Sequence, residues 1–360
     1  MAGGGDLSGR SDAVWSAQGT TPDAIEAALR QLLVEVHSEN DDFLPARVLN
    51  MIAFVDRAWS GEIANRLRGV GRYHASRLIV LSYEPSREHL DARATVASEG
   101  DPRPGELTLL RETVIVEIGK RHLDDLLTIA DPLVVSDLLT LLWSPHGHPE
   151  VVRELLPLVQ AVLLDSVDEP EPREAIAHAR SLSEDAYVVD LAWLRTTPWR
   201  ERLATAFDPL EMRRQLHTLT SVTIRHHPES AIAAMLLIGW LAARLGWRLN
   251  PLMAHDGALA GKASGRRQDI ELRLLATPEQ QVRGLAGLEL ETASGLRLRL
   301  DRGPGGLHAH RRDANGNERD WTILGASRGE AGILGEGIRQ ALLRDPTFAP
   351  ALAAAAEIVP

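Results

Sequence analysis

The first strong hydrophobic pattern in the chain is helical. Ile25, Ala28, Leu29, Leu32, Leu33 and Val36 recur at the 3.6-residue spacing of an amphipathic helix. Thr21-Pro22 supplies its start, with Thr as N-cap and Pro at the first helical position. The pattern then changes. ARVLNMIAFVD, Ala46 to Asp56, is a continuous apolar run about as long as a strand buried on both faces. A helical segment, Ala58 to Val70, leads to a second such run, Arg77 to Glu84. Further strands are predicted at 91–97, 113–118, 138–143, 159–165 and 186–190, with helices at 122–130, 149–155 and 172–182. Strands alternating with helices predict an α/β sandwich. The pair 91–97 and 113–118 lacks an intervening helix and predicts a local antiparallel hairpin in a mixed sheet.

Ala192 to Phe207 reads as a helix carrying Trp193 and Trp199, and Asp208-Pro209 marks a turn. Near residue 215 the pattern shifts again. AIAAMLLIGWLAA, Ala231 to Ala243, is the longest apolar run; at 13 residues it is too short to span a bilayer and predicts a buried helix. Period-two alternation follows. Leu288, Leu290, Leu296, Leu298 and Leu300 alternate with Glu289, Glu291, Arg297 and Arg299 around an Ala293-Ser294-Gly295 loop. Gly295 fits the left-handed third position of a three-residue hairpin loop. That register sets Glu291 against Arg297 and Glu289 against Arg299, with the leucines sharing the other face. Asn315-Gly316 signals a second turn, and 329–343 a helix. The expected class is therefore α/β. A disordered tail, 1–20, precedes an N-terminal mixed α/β sandwich, 21–214. A smaller α+β domain with an antiparallel sheet, 215–343, and a C-terminal tail, 344–360, follow.

Composition narrows the function. The chain is 44% hydrophobic and 25% charged, ordinary for a globular protein, and carries a net charge of −11. That balance argues against nucleic acid or an anionic membrane as the main partner. There is no cysteine, which excludes disulfides, thiolate zinc sites and a cysteine nucleophile. Lysine occurs only at Lys120 and Lys262, a bias read as that of a GC-rich genome. Met1 to Gly19 lacks the apolar stretch of a signal peptide, so a cytoplasmic location is expected.

Four segments are candidates for chemistry. RLRGVGRYHASR gathers Arg66, Arg68, Arg72, His74 and Arg77 around glycines. Guanidinium forks there suit a phosphate, a carboxylate or a partner surface, while the plainer reading is a solvated turn after a helix. WSPHGHPE follows a strand, where α/β sheets place ligands, and its His146 and His148 supply two metal ligands of the three a catalytic zinc needs. LLDSVDEPEP offers Asp165, Asp168 and Glu169, either as an acid–base pair or magnesium ligands, or as a turn opening a helix. RHHPES, 225–230, reads as a polar loop before the buried helix. No Walker loop, G-x-S-x-G elbow or H-E-x-x-H is present.

ARVLNMIAFVD, EIANRLRGVGRYHASRLIV, ADPLVVSDLLTLLWSPHGHPE, the segment Gln160–Pro170 and AYVVDLAWLRTTPWRERLATAFDP together resemble the OpcA family, and most closely its actinobacterial branch. The resemblance is collinear from about Ala46 to Pro209 and compatible with the family beyond it. It implies a non-enzymatic partner that binds glucose-6-phosphate dehydrogenase, promotes its active oligomer and raises its activity in the oxidative pentose phosphate pathway. It implies no catalytic residues, cofactor or metal, and no nucleic-acid or membrane partner. The thiol-linked regulation of cyanobacterial members cannot act through a chain without cysteine. The expected partner-binding residues are Arg72, Tyr73, His74 and Arg77 with Trp143, His146 and His148. The alternative is an enzyme on a phosphorylated sugar, with the Arg66–Arg77 loop as its phosphate site.

Overall fold

A computed structural model describes residues 13–39, 43–44, 47–71, 76–98, 108–324 and 329–359. The chain divides into two compact units, Met1–Leu163 and Leu164–Pro360.

The first unit is built on a mixed sheet. Its strands are β1 (Ala13–Ala17), β2 (Phe43–Leu44), β3 (Leu49–Asp56), β4 (Ser76–Tyr83), β5 (Asp91–Ser98), β6 (Thr108–Ile118), β7 (Leu139–Trp143) and β8 (Ala161–Leu164). The order is β1-β5-β6-β4-β3-β7-β8, with β2 beside β6. β3 is parallel to both β4 and β7, and β4 to β6. β5 pairs antiparallel with β6, the hairpin expected from the missing helix. The helices are α1 (Pro22–Glu39), α2 (Ser60–Gly71), α3 (Leu126–Ala130) and α4 (Pro149–Leu155). Leu49 to Val55 of β3 are buried without alternation, because the central strand of a sandwich is covered on both faces. Asn50 is the polar exception. Its side chain bonds Val135 N at 2.9 Å, Val135 O at 3.0 Å and Thr140 Oγ1 at 3.2 Å, tying the loop before β7 to β3.

The second unit opens with α5 (Pro172–Asp185), β9 (Tyr187–Asp190), α6 (Leu191–Arg195), α7 (Thr197–Ala206) and α8 (Leu210–Leu216). Next come β10 (Leu219–His226), α9 (Ala231–Leu245), β11 (Arg248–Leu249), β12 (Met253–His255), β13 (Ala258–Ser264) and β14 (Asp269–Ala276). β15 (Leu285–Thr292), β16 (Arg297–Gly303), β17 (Gly306–Arg312), β18 (Glu318–Leu324), α10 (Glu330–Leu343) and α11 (Phe348–Ile358) complete it. The sheet order is β11-β13-β14-β10-β15-β16-β17-β18, with β12 on β13. Among the described residues of this sheet, only β10 and β14 pair in parallel. The leucine hairpin forms in the expected register: Leu288 opposes Leu300, Leu290 opposes Leu298, and Glu291 opposes Arg297. Each of those four leucines is 1% exposed, and Gly295 takes φ +83°.

The division differs from the expected boundary at 214/215 for a packing reason. α5 and α6 lie against α9, α10 and α11, so residues 164–214 help cover the second core. Both expected tails also contain regular elements. Ala13–Ala17 pairs antiparallel with β5. α11 buries Phe348, Ala351, Leu352, Ala355 and Ile358 and packs closely on α9. Its alanines read as a featureless end, yet small side chains are what let two helices approach. A Cβ on Gly239 of α9 would sit 2.2 Å from the Ala351 carbonyl oxygen. The window Pro228–Leu245 is apolar enough by composition to cross a membrane, but 61% of it is buried in the folded chain, as a core helix requires.

Candidate functional site

In the first unit the strand order reverses at β3. The chain runs outward from β3 to β4 and β6, then returns to the other side of β3 as β7 and β8. The carboxyl ends of β3 and β7 therefore flank a topological switch point, the place where open α/β sheets leave a crevice. Asp56 ends β3 and Trp143 ends β7. The loop after β7 turns through Gly147 at φ +91° and His148 at φ +62°. A left-handed backbone is uncommon for a histidine and holds its ring back over β3.

His148 is fixed from several sides. Its Nε2 lies 3.1 Å from Asp56 Oδ1, and its Nδ1 lies 3.3 Å from Glu150 Oε1. Its ring meets Phe54 edge-on at 4.9 Å and Tyr83 at 5.8 Å between centroids. His146 stacks differently, 5.9 Å from the Trp59 ring. Its Nδ1 is shielded from solvent without a hydrogen-bond partner among the described residues. Burial pushes the His146 imidazole below its ordinary value, with Asp56 pulling the other way. Trp59 is 51% exposed. The site is thus an exposed indole resting near His146, with a second histidine, His148, beside them held by a carboxylate on each side.

The structure treats the expected site residues unequally. His146 and His148 come together at this edge. Trp143 is 3% exposed and belongs to the core beneath them, so it offers nothing to a partner. Arg77 is 3% exposed at the other end of the strands, aligned with Asn50 while Trp143 aligns with Ala53. Its Nε reaches Glu112 Oε2 at 2.8 Å and its Nη1 the Leu133 carbonyl at 3.0 Å. Arg47 also pairs with Glu112. Arg77 is therefore a correction to the expected interface: an inward basic strand residue with a buried carboxylate opposite it. Arg72, Tyr73 and His74 lie outside the described residues. Arg66 is paired along its own helix with Glu62 at 2.5 Å.

Among the described residues no group of three or more His, Asp or Glu side chains is placed to hold a metal ion. In the second unit the acidic segment is neutralised. Asp165 takes both terminal nitrogens of Arg195, at 2.8 and 2.7 Å, and Asp168 pairs with Arg283 at 2.9 Å. Glu169 bonds His178 at 2.5 Å. His227 caps the turn before α9 by accepting from Glu229 N at 3.2 Å. Asp56 and Trp59 were not among the expected site residues. The signal for them was their position directly after the apolar run of β3, where strand ends collect ligands.

Two family models match this chain. Residues 68–181 match the glucose-6-phosphate dehydrogenase subunit N-terminal domain, and residues 186–352 match the corresponding C-terminal domain. The chain belongs to the OpcA family. The junction between the matched segments, like the division between the compact units, falls before the expected 214/215.

The OpcA proteins of two cyanobacteria are similar to it. That of Synechococcus elongatus is 26% identical over 141 residues, 38% of this chain and 32% of that protein. That of Nostoc punctiforme is 30% identical over 120 residues, 32% of this chain and 26% of that protein. The matched segment thus spans about a third or less of these relatives' length. Among solved structures, an oxidoreductase domain protein from Kribbella flavida aligns with TM-score 0.47 at 16% identity, covering 86% of this chain and 95% of that one. Apo scyllo-inositol dehydrogenase from Lactobacillus casei aligns with TM-score 0.44 at 13% identity, covering 88% and 96%. At these values neither likeness carries an activity to this OpcA chain.

Proposed function

We propose that this OpcA protein is a non-enzymatic assembly factor and activator of glucose-6-phosphate dehydrogenase in the cytoplasm, and that it belongs to the actinobacterial branch. The observation that carries the role is the pair of collinear family segments, both described as parts of a glucose-6-phosphate dehydrogenase subunit. The activator works by linkage. It raises activity only by binding the active form of the enzyme more tightly than the inactive form. A tenfold shift in that population takes about 1.4 kcal/mol of differential binding. By reciprocity, whatever this protein adds to substrate affinity, substrate returns to the complex.

Within this reading the contact surface is the carboxyl edge of the first sheet. Trp59 is its exposed anchor, and His146 and His148 form the shelf behind it. Large, rigid, half-exposed aromatic side chains are what interface hot spots are made from. The phosphosugar alternative is less well supported. Of its arginines, Arg66 is paired with Glu62 and Arg77 is buried against Glu112.

The test is a titration of the purified protein into the cognate dehydrogenase. NADPH production and the mass of the complex are followed together. Saturable activation with complex formation is expected. Absence of both would overturn the proposal.

A further inference from the structure

β18 is an edge strand with no strand paired on its outer side among the described residues. It pairs with β17 over seven consecutive residues, Gly306↔Leu324 to Arg312↔Glu318, without a register shift. Both faces are open. Glu318, Arg319, Asp320, Thr322 and Leu324 are exposed, Trp321 and Ile323 are half-covered, and Leu324 reaches 77% exposure. Natural edges are usually blunted by charged side chains, proline, a bulge, shortness or a cover. β18 has charges only in its first half, Glu318-Arg319-Asp320, and no proline or bulge; its second half, Trp321-Thr322-Ile323-Leu324, is uncharged and strand-forming.

We propose that two copies of this chain pair their β18 strands antiparallel about a two-fold axis through Trp321, joining their second sheets. The charge pattern selects both occupant and register. A two-fold normal to the sheet keeps each side chain on its own face, so only residues of equal parity can oppose. Centring on Asp320 or on Arg319 would set that charge against its own copy. Centring on Trp321, the midpoint of the strand, pairs all seven residues and sets no like charges directly opposite, leaving Asp320 and its copy only as diagonal neighbours. Glu318 then faces Leu324, Arg319 faces Ile323, Asp320 faces Thr322, and the two indoles meet. Arg319, which lies 5.7 Å from its own Trp321 ring, gains the partner copy's ring as a diagonal neighbour.

The experiment is sedimentation of the full chain over a concentration series without the dehydrogenase, with Thr322→Asp and Thr322→Lys beside it. The wild type moves from 39.4 kDa toward twice that mass. Thr322→Asp sets an aspartate against Asp320 of the other copy twice per dimer and weakens association about tenfold. Thr322→Lys makes those pairs attractive and keeps the dimer. Melting curves confirm folding, and slowed amide exchange at 319–323 on concentrating the wild type gives a readout needing no variant. A wild type that stays at monomer mass, a Thr322→Asp dimer as tight as the wild type, a monomeric Thr322→Lys, or exchange independent of concentration overturns the proposal.

Discussion

Arg77 and Glu112 face each other across β4 and β6 with side chains 4% and 1% exposed and Nε 2.8 Å from Oε2. Two charges this far from water are tolerable only as a pair. Arg77→Ala leaves the Glu112 carboxylate in the core with Arg47 alone. Arg47 still compensates that charge, so the expected loss in urea unfolding is below the roughly 3–5 kcal/mol of a fully unpaired buried carboxylate. Replacing Arg77 and Glu112 together by methionine should recover much of that. A single Arg77→Ala that unfolds like wild type would show the pair to be expendable. Any loss of dehydrogenase binding in an Arg77 variant has to be read against its melting curve.

Gly239 sits where α9 meets α11. An alanine there gains up to about 1 kcal/mol of helix propensity in isolation. Its Cβ, however, would lie 2.2 Å from the Ala351 carbonyl and 2.8 Å from the Ala355 amide, and both are backbone. Gly239→Ala therefore destabilises the protein by about 1–3 kcal/mol through overpacking. A stabilised Gly239→Ala would mean that the two helices separate at no cost.

Asp190 is 1% exposed at the end of β9. Its carboxylate accepts from Ser166 N, Ser166 Oγ and Ala192 N. Burial nevertheless pushes its pKa up from 3.8 to about 6, helped by the neighbouring Asp165 charge. The folded value lies above the unfolded one, so the protonated group favours folding. Its contribution is present at low pH and is lost as pH rises through about 6. The rise corresponds to about 3 kcal/mol across the window from about pH 4 to about pH 6. Asp190→Asn keeps Oδ1 as acceptor for Ser166 N and Ala192 N, puts an amide donor opposite Ser166 Oγ, which then accepts, and removes the titration. Stability profiles of wild type and Asn variant should diverge on raising pH through that window, the wild type falling relative to the variant. Parallel profiles would refute the shift.

Much of this architecture is legible in residue order. The leucine alternation at 288–300 fixes its own register, because a slip by one residue would turn every leucine outward. The continuous apolar runs of β3 and β4 announce strands covered on both faces. What local pattern cannot reveal is partnership at a distance. The small residues of α11 look like an unstructured end until Gly239 is seen to receive them. Arg77 looks like one of a string of surface cations until Glu112, 35 positions later, is found opposite it. The candidate site was half legible: H-x-H after a strand placed His146 and His148 at the carboxyl edge, but Asp56 and Trp59 join them only because β3 and β7 lie side by side.

Trp59 separates a contact role from a structural one. It is 51% exposed, and its ring rests near His146, so truncation should change stability by no more than about 0.5 kcal/mol. As the anchor of a dehydrogenase contact, it should cost about 2 kcal/mol of binding, roughly thirtyfold in affinity. The two quantities of an activation curve then report separately. If Trp59 touches active and inactive enzyme alike, Trp59→Ala moves the half-saturating concentration and leaves the plateau where it was. If the indole favours the active form, the plateau falls as well, because only differential contact shifts the enzyme's population. His148→Asn, which removes the bridge between Asp56 and Glu150, should move the half-saturating concentration in the same direction by loosening the shelf behind the indole. A folded Trp59→Ala protein with an unchanged activation curve would remove this edge from the interface while leaving the activator role intact.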